Sequence, residues 1–146
     1  MEYVWTQELE TGYQSIDEQH KQLVVALNAL FFACQHGRHC DELKAVLDFL
    51  VAYTVKHFAD EEEFQRQHSY PGYERHKMLH DQFKVVASEL AERLLQEGPS
   101  IALIAEVRST MGDWLVNHIK GEDLKIAVHA RPPGRQQSEC VIIGVS

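Results

Sequence analysis

Residues 76–96 read HKMLHDQFKVVASELAERLLQ, and their apolar side chains recur every three or four positions. This spacing puts one face of a helix against a core. The apolar positions are Leu79, Phe83, Val86, Leu90 and Leu94. Pro71 and Gly72 precede the segment, and EGPS (97–100) follows it; both stretches are typical of turns. The segment therefore predicts a helix over about 73–96.

Three other segments show the same helical spacing, separated by short breaks. Gly37 is of the type that ends helices, and Asp41 and Ser100 are of types that begin them. The expected helices cover residues 17–35, 41–67 and 101–128. No strand-like alternation interrupts 17–128. Four helices with short connections predict an all-α fold, an up-down-up-down antiparallel four-helix bundle, with 1–16 as an irregular N-terminal arm.

The composition argues against several classes of protein. The chain has 146 residues and a formal net charge of −8 at pH 7. Nucleic acids and anionic membranes attract basic surfaces, so neither is the expected partner. No apolar run approaches the roughly 18 residues of a membrane span, and no basic and apolar leader opens the chain, so we expect a cytoplasmic protein. The three cysteines are odd in number and do not suggest a disulfide framework.

Histidines and carboxylates gather at one end of the expected bundle. In an antiparallel bundle the start of the first helix, the end of the second, the start of the third and the end of the fourth lie together. The residues at that level are His20, His57, Glu61, His76, His80, His118 and Asp123. One histidine on a helix face is more often a packed core residue than a ligand. Seven such groups at one level would cost several kcal/mol for each unpaired charge, so a bound cation is expected.

The spacing of His118 and Asp123 does not fit a regular helix. Positions i and i+5 point about 140° apart on an ideal α-helix. Either the helix is distorted near Gly121, or Asp123 reaches a different metal ion from the side. The spacing leaves both alternatives open.

The ligand types indicate which metal and how many ions. Seven ligands exceed the four of a structural zinc site. Two octahedral ions bridged by Glu61, Asp123 and a hydroxide would use all seven, and imidazole with carboxylate suits iron. The ferritin-like alternative needs two Glu-x-x-His motifs, and the chain offers only an approximate one at 17–20. A site with mostly neutral ligands stabilises high-valent iron less than a carboxylate-rich site does. This difference favours reversible oxygen binding over strongly oxidising chemistry.

Four motifs resemble those of the hemerythrin family, in particular the bacterial hemerythrins. They are GYQSIDEQHKQL (12–23), HFADEEEF (57–64), HKMLH (76–80) and WLVNHIKGED (114–123). The resemblance covers about residues 3–128 and includes all seven ligand positions in order. It implies two non-haem iron ions in a hemerythrin-like bundle of residues 1–128. Residues 129–146 depart from a minimal domain of the family, and their two adjacent prolines followed by polar residues predict a flexible tail.

The resemblance also implies a role for each ligand. His76, His80 and His118 would hold one iron, and His20 and His57 the other. Glu61, Asp123 and an oxo or hydroxo group would bridge the two ions. O2 would bind at the iron with fewer protein ligands. Leu115 is the first candidate for a residue facing the gas, with Trp114 and Phe58 as further wall residues; ordinary core packing is the alternative for all three.

The function predicted from these residues is reversible O2 binding for storage, delivery or buffering, by a binding protein and not an enzyme. One alternative is an oxygen or redox sensor domain that signals to a partner. Another is a di-iron enzyme acting on peroxide or nitric oxide. A monomer is favoured, and the 129–146 tail is a candidate contact for a protein partner.

Other polar residues are predicted to lie outside the site. CQHGRHC (34–40) is expected to be a solvated loop with incidental thiols, a soft-metal site being the alternative. His68 and His129 are expected at the surface. Asp60, Glu62 and Glu63 are expected on a solvated helix face, although hydrogen bonds to ligand imidazoles are an alternative for them.

Overall fold

The structure is a computed structural model that describes residues 3–36 and 40–131. Three long helices come first: α1 (Gln14–Gln35), α2 (Cys40–Gln67) and α3 (Tyr73–Glu97). A fourth helix, α4, covers residues 101–130. The described residues contain no strand, so the predicted all-α four-helix bundle is confirmed. His129 and Ala130 are still helical in α4, Arg131 follows as its exposed C-cap, and residues 132–146 of the predicted tail lie outside the described residues.

Contacts between the helix ends show that neighbouring helices run antiparallel. Gln19, near the start of α1, bonds to Asp60, near the end of α2. Arg75, near the start of α3, pairs with Glu122, near the end of α4. Because each pair joins the start of one helix to the end of another, the predicted ligand positions of all four helices fall at one end of the bundle.

The observed helix starts differ slightly from the predicted ones. Asp17 accepts hydrogen bonds from the backbone N–H and hydroxyl of Thr11 and from the N–H of Gly12, and α1 already begins at Gln14. α2 begins at Cys40, so Asp41 lies in the first turn of the helix and the prediction of an N-cap there was wrong. The predicted C-cap Gly37 lies outside the described residues.

α4 is continuous but not uniform. Ser100 caps it as predicted, because its hydroxyl accepts a hydrogen bond from the N–H of Leu103 at 3.1 Å. The α-helical segments Ile101–Val107, Trp114–His118 and Leu124–Ala130 alternate with the π-helical segments Arg108–Asp113 and Ile119–Asp123. The residues at the junctions keep right-handed helical dihedral angles, so the helix does not break.

The buried face of α3 is rotated slightly from the predicted one. Leu79 and Val86 are half-buried, whereas Phe83, Leu90 and Leu94 are buried as expected. The buried face also contains His76, His80, Ala87 and Ala91. This rotation turns both histidines into the bundle, while the far end of α3 packs as an ordinary apolar helix.

The N-terminal arm packs along the bundle. The backbone N–H of Tyr3 donates to the side-chain oxygen of Asn28 at 2.9 Å, and the amide nitrogen of Asn28 donates back to the carbonyl of Tyr3 at 2.8 Å. A short 3-10 helix follows (Gln7–Leu9) and buries Leu9. Tyr13 packs edge-on against Phe64. Among the described residues, no helix combines the length and hydropathy needed to cross a membrane.

Candidate metal centre

All seven predicted ligand residues are buried, and their side chains meet at one end of the bundle. They form two overlapping groups that share Glu61 and Asp123. In each group, the nitrogen and oxygen atoms that could bind a metal lie within 4.8 Å of one another. We call His76, His80 and His118 the three-histidine group, and His20 and His57 the two-histidine group.

The three-histidine group is held by α3 and α4. The Nε2 atom of His118 lies 3.1 Å from Nε2 of His76 and 3.2 Å from Nε2 of His80. Glu61 Oε1 lies 2.9 Å from Nε2 of His76, and Asp123 Oδ1 lies 3.1 Å from the same atom. Three ring nitrogens and two carboxylate oxygens therefore converge on one small volume.

The two-histidine group is held by α1 and α2 on the other side of the same carboxylates. His20 Nε2 lies 3.0 Å from Asp123 Oδ2 and 3.5 Å from Glu61 Oε2. His57 Nε2 lies 3.4 Å from Glu61 Oε2, one helical turn away as the i, i+4 spacing requires. This group offers two nitrogens where the other offers three.

Each shared carboxylate directs one oxygen to each group. Glu61 turns Oε1 to His76 and His80, and Oε2 to His20 and His57. Asp123 turns Oδ1 to the three-histidine group and Oδ2 to His20. Two carboxylates arranged in this way can each place one oxygen on either of two neighbouring cations.

A π-helical turn explains the spacing of His118 and Asp123. The N–H of Leu124 donates to the carbonyl of Ile119, five residues earlier, which widens the helix over Ile119–Asp123. The widened turn brings Asp123 Oδ1 to 3.1 Å from His118 Nε2. Of the two alternatives left open above, distortion of the helix near Gly121 is therefore the one observed. Gly121 itself is not sterically required, because a Cβ atom there would meet nothing within 4 Å.

Hydrogen bonds among the seven side chains leave several of their polar atoms without a partner. Both ring nitrogens of His20, both carboxylate oxygens of Asp123, and Oε2 of Glu61 are buried without a hydrogen-bond partner. Several of these atoms lie 3.0–3.5 Å from an oppositely charged or polar atom, but without hydrogen-bond geometry. Buried polar atoms that converge without bonding are costly unless a cation lies between them. The donor set therefore fits a metal.

The pKa values of the site's side chains also indicate that the site attracts positive charge. Burial lowers the pKa of His20 and His76, but the carboxylates of Asp123 and Glu61 outweigh burial and raise it to about 9 in both. Burial opposes ionisation of Glu61, yet the surrounding histidines hold its pKa well below the usual range. The pKa of Asp123 is also lowered, by His118 and His20, against burial and the charge of Glu61. Without a metal, protons supply the positive charge that the carboxylates attract.

Two further residues bind the outer ring nitrogens of ligand histidines. Glu62 is buried, and its Oε2 lies 2.9 Å from Nδ1 of His80, so the prediction that Glu62 lies on a solvated face was wrong. Gln19 places its Oε1 2.7 Å from Nδ1 of His57. No pattern in the sequence indicates the role of Gln19, because that role depends on the approach of α1 to α2.

The other two acidic residues that were predicted with Glu62 on a solvated face are solvated as expected. Asp60 and Glu63 are exposed. Asp60 pairs with Lys56 at 2.7 Å, and Glu63 pairs with Arg66 at the same distance. Pairs of this kind at the surface contribute little to stability.

Apolar and aromatic side chains enclose the site. Phe58 is 1 % exposed and stacks on the ring of His80, with centroids 3.8 Å apart. Trp114 is half-buried and stacks on His118 at 4.5 Å. Leu115 is 2 % exposed and belongs to the apolar core. The two aromatic rings thus lie mainly against the three-histidine group, although Phe58 also lies 5.9 Å from His57 by ring centroids.

Among the described side chains, the remaining histidines and Cys34 do not join either group. His36 is exposed and stacks on Phe32, and Cys34 is a buried free thiol. Because Cys34 is a buried residue of α1, the prediction of a solvated loop was wrong at that position. Residues 37–39 and the side chain of Cys40 lie outside the described residues. His129 is exposed as predicted and donates to the carbonyl of His68. His68 is half-buried, because its ring stacks on Phe64.

Comparisons with known proteins cover the whole of this site. The sequence profile of the hemerythrin HHE cation binding domain matches residues 11–129. The chain is 37% identical over 120 residues to a bacteriohemerythrin of Stenotrophomonas maltophilia, an alignment that covers 82% of this chain and 76% of that protein. It is 33% identical over 123 residues to a myohemerythrin of Sipunculus nudus, covering 84% of this chain and 89% of that protein.

Proposed function

This chain belongs to the hemerythrin family, and we propose that it binds O2 reversibly at a pair of non-haem iron ions. The observation that carries the proposal is the sharing of Glu61 and Asp123 between two groups of histidine nitrogens. A single-metal site has no use for two carboxylates that each divide their oxygens in this way.

We assign the ligands from these contacts. His76, His80 and His118 would hold one iron, and His20 and His57 the other. Glu61 and Asp123 would bridge them, with an oxo or hydroxo group as the third bridge. Imidazole and carboxylate are suitable ligands for iron, and seven of them exceed what one zinc ion takes. The bound iron pair would supply electrons that O2 takes up on binding and returns on release.

The surrounding side chains serve reversibility by keeping the site dry. Phe58 and Leu115 are almost wholly buried, and Trp114 covers His118 from the side. An enclosed apolar wall excludes the water and protons that would divert a reversible binding step into irreversible oxidation. We propose Leu115 as the residue that faces the gas, with Phe58 and Trp114 as the rest of the wall.

We further propose that the chain is an O2-binding protein without enzymatic turnover. It would act in the cytoplasm as a monomer, and residues 132–146 would be available to a protein partner. Consumption of peroxide or nitric oxide by the iron-loaded protein in the presence of reductant would contradict the absence of turnover.

The test of the proposed function is one cycle of oxygenation. The iron-loaded protein is reduced without oxygen, exposed to air and then deoxygenated, while its visible spectrum is recorded. We expect a visible band that appears in air and disappears when oxygen is removed, over repeated cycles. A spectrum that changes once and does not return would contradict reversible binding and favour a sensor or an enzyme.

A further inference from the structure

The two histidine groups differ in what supports their ligands from outside. In the three-histidine group, Nδ1 of His80 faces the carboxylate of Glu62 at 2.9 Å. In the two-histidine group, Nδ1 of His57 faces the side-chain amide oxygen of Gln19 at 2.7 Å. One support is an anion and the other is neutral.

A second hydrogen bond determines how the amide of Gln19 is oriented. Its nitrogen, Nε2, donates to the carboxylate of Asp60 at 2.8 Å, and Asp60 also accepts from Lys56. An ionised carboxylate can only accept, so the nitrogen of Gln19 faces Asp60 and its oxygen faces His57. That oxygen can only accept as well. Nδ1 of His57 therefore carries the proton and leaves Nε2 free to bind inside the two-histidine group.

Glu62 has the same effect on His80, but with a charge. Its carboxylate accepts a hydrogen bond from Nδ1 of His80. The proton is then on Nδ1, and Nε2 faces inward as the ring nitrogen that can bind a metal. A hydrogen bond to a carboxylate is roughly twice as strong as one to a neutral acceptor and makes the imidazole a stronger metal ligand. The neutral amide of Gln19 fixes the orientation of the His57 ring but does not strengthen its imidazole as a metal ligand to the same extent.

We propose that Gln19 is the positioning residue of the two-histidine group, holding His57 in the tautomer that can bind metal while adding no negative charge. Glu62 is its charged counterpart in the three-histidine group. This inference rests on the proposed ligand assignment. It predicts that the three-histidine group binds Fe2+ first and more tightly, and that Gln19 controls only the second step.

The first measurement is an anaerobic titration of the metal-free protein with Fe2+ against a chromophoric chelator. Loss of a residue that supports a metal-binding histidine typically lowers affinity by about 10–100-fold. We expect Gln19→Leu to weaken the second binding step by about that factor and leave the first unchanged, while Glu62→Leu weakens the first. Gln19→Glu keeps an acceptor for Nδ1 of His57 but adds a charge and loses the hydrogen bond to Asp60, so its second step should be tighter than that of Gln19→Leu. Gln22→Leu, an exposed glutamine in the same helix, is the matched control.

The second measurement reads the tautomer directly, by 15N NMR of the histidine rings in the metal-free protein. His57 should carry its proton on Nδ1 in the unmodified chain and in Gln19→Glu, and should become a mixture of tautomers in Gln19→Leu. An unchanged His57 signal in Gln19→Leu, or equal weakening of both Fe2+ steps, would overturn the positioning role. If the unmodified chain itself bound fewer than two Fe2+ ions, the proposed site would fail, whatever the variants did.

Discussion

The two ends of the bundle are equally buried but are stabilised in different ways. At the apolar end, leucines from all four helices are 0–3 % exposed and belong to one apolar core: Leu30, Leu47, Leu94 and Leu103. At the metal end, the five histidines and two carboxylates are 0–5 % exposed. Apolar burial is favourable without any ligand. The polar layer instead leaves buried atoms without hydrogen-bond partners, so its stability depends on a cation or on protons.

The largest effect is expected at the metal end, where removal of a shared carboxylate should abolish iron binding. Glu61→Ala takes one oxygen from each histidine group, so we expect loss of both iron ions from the folded protein. His118→Ala should also lower the iron content. Iron analysis of the purified proteins measures this. His36→Ala and His68→Ala are the controls, since neither residue joins the site, and equal iron loss in all four variants would contradict the ligand assignment.

A large-to-small substitution at the apolar end should lower the stability of the protein without lowering its iron content. Leu94 is fully buried, so Leu94→Ala should lower the free energy of unfolding by about 2–5 kcal/mol. Because Leu94 lies far along α3 from His76 and His80, the iron content per folded chain should not change. Chemical denaturation and iron analysis of the same preparation check both statements. A lower iron content per folded chain in Leu94→Ala would mean that the two ends are not independent.

The metal-free protein should lose stability as the pH rises. The pKa values of His20 and His76 are raised to about 9 by the adjacent carboxylates, against the effect of burial. A raised pKa contributes stability that is complete below the unfolded value near 6.5 and disappears as pH passes through about 9. Denaturation of the metal-free protein between pH 6 and 10 measures this. The iron-loaded protein should lack this dependence, because the metal replaces the protons; parallel curves would contradict that replacement.

The smallest effects should distinguish two glycines in the π-helical segments of α4. A Cβ on Gly112 would collide with the hydroxyl oxygen of Tyr3, whereas one on Gly121 would meet nothing within 4 Å. We expect Gly112→Ala to displace the N-terminal arm and lower stability by about 1–3 kcal/mol. Gly121→Ala should change stability by less than about 1 kcal/mol. Thermal unfolding compares the two, and neither should lose iron. A larger cost for Gly121→Ala would mean that the metal-side π turn needs a glycine.

The fold and the ligand positions could be predicted from the sequence because they follow from periodicity. Apolar spacing placed four helices, and antiparallel order brought the histidines to one level. The observed structure brings together all seven predicted ligand residues. Their role as metal ligands stays a proposal.

Contacts between distant parts of the chain could not be predicted in the same way. Periodicity on α2 does not decide whether Glu62 faces solvent or His80, because that depends on where α3 lies. Gln19 supports His57 only because α1 packs against the end of α2. The importance of Gly112 depends on Tyr3, at the opposite end of the sequence.

The π turn lies between these two cases. The i, i+5 spacing of His118 and Asp123 shows that a regular helix cannot bring both residues to one site. The same spacing does not say whether the helix widens or the residues bind different metals. The hydrogen bond from Leu124 to Ile119 is the local feature that distinguishes the two alternatives.

The most direct test of the two-metal layer is anomalous X-ray diffraction at the iron edge from crystals of the iron-loaded protein. We predict two peaks per chain, one among the nitrogens of His76, His80 and His118 and the other beside His20 and His57. Glu61 and Asp123 should touch both. A single peak, or a peak away from these residues, would contradict the assignment of the polar layer as a two-iron site.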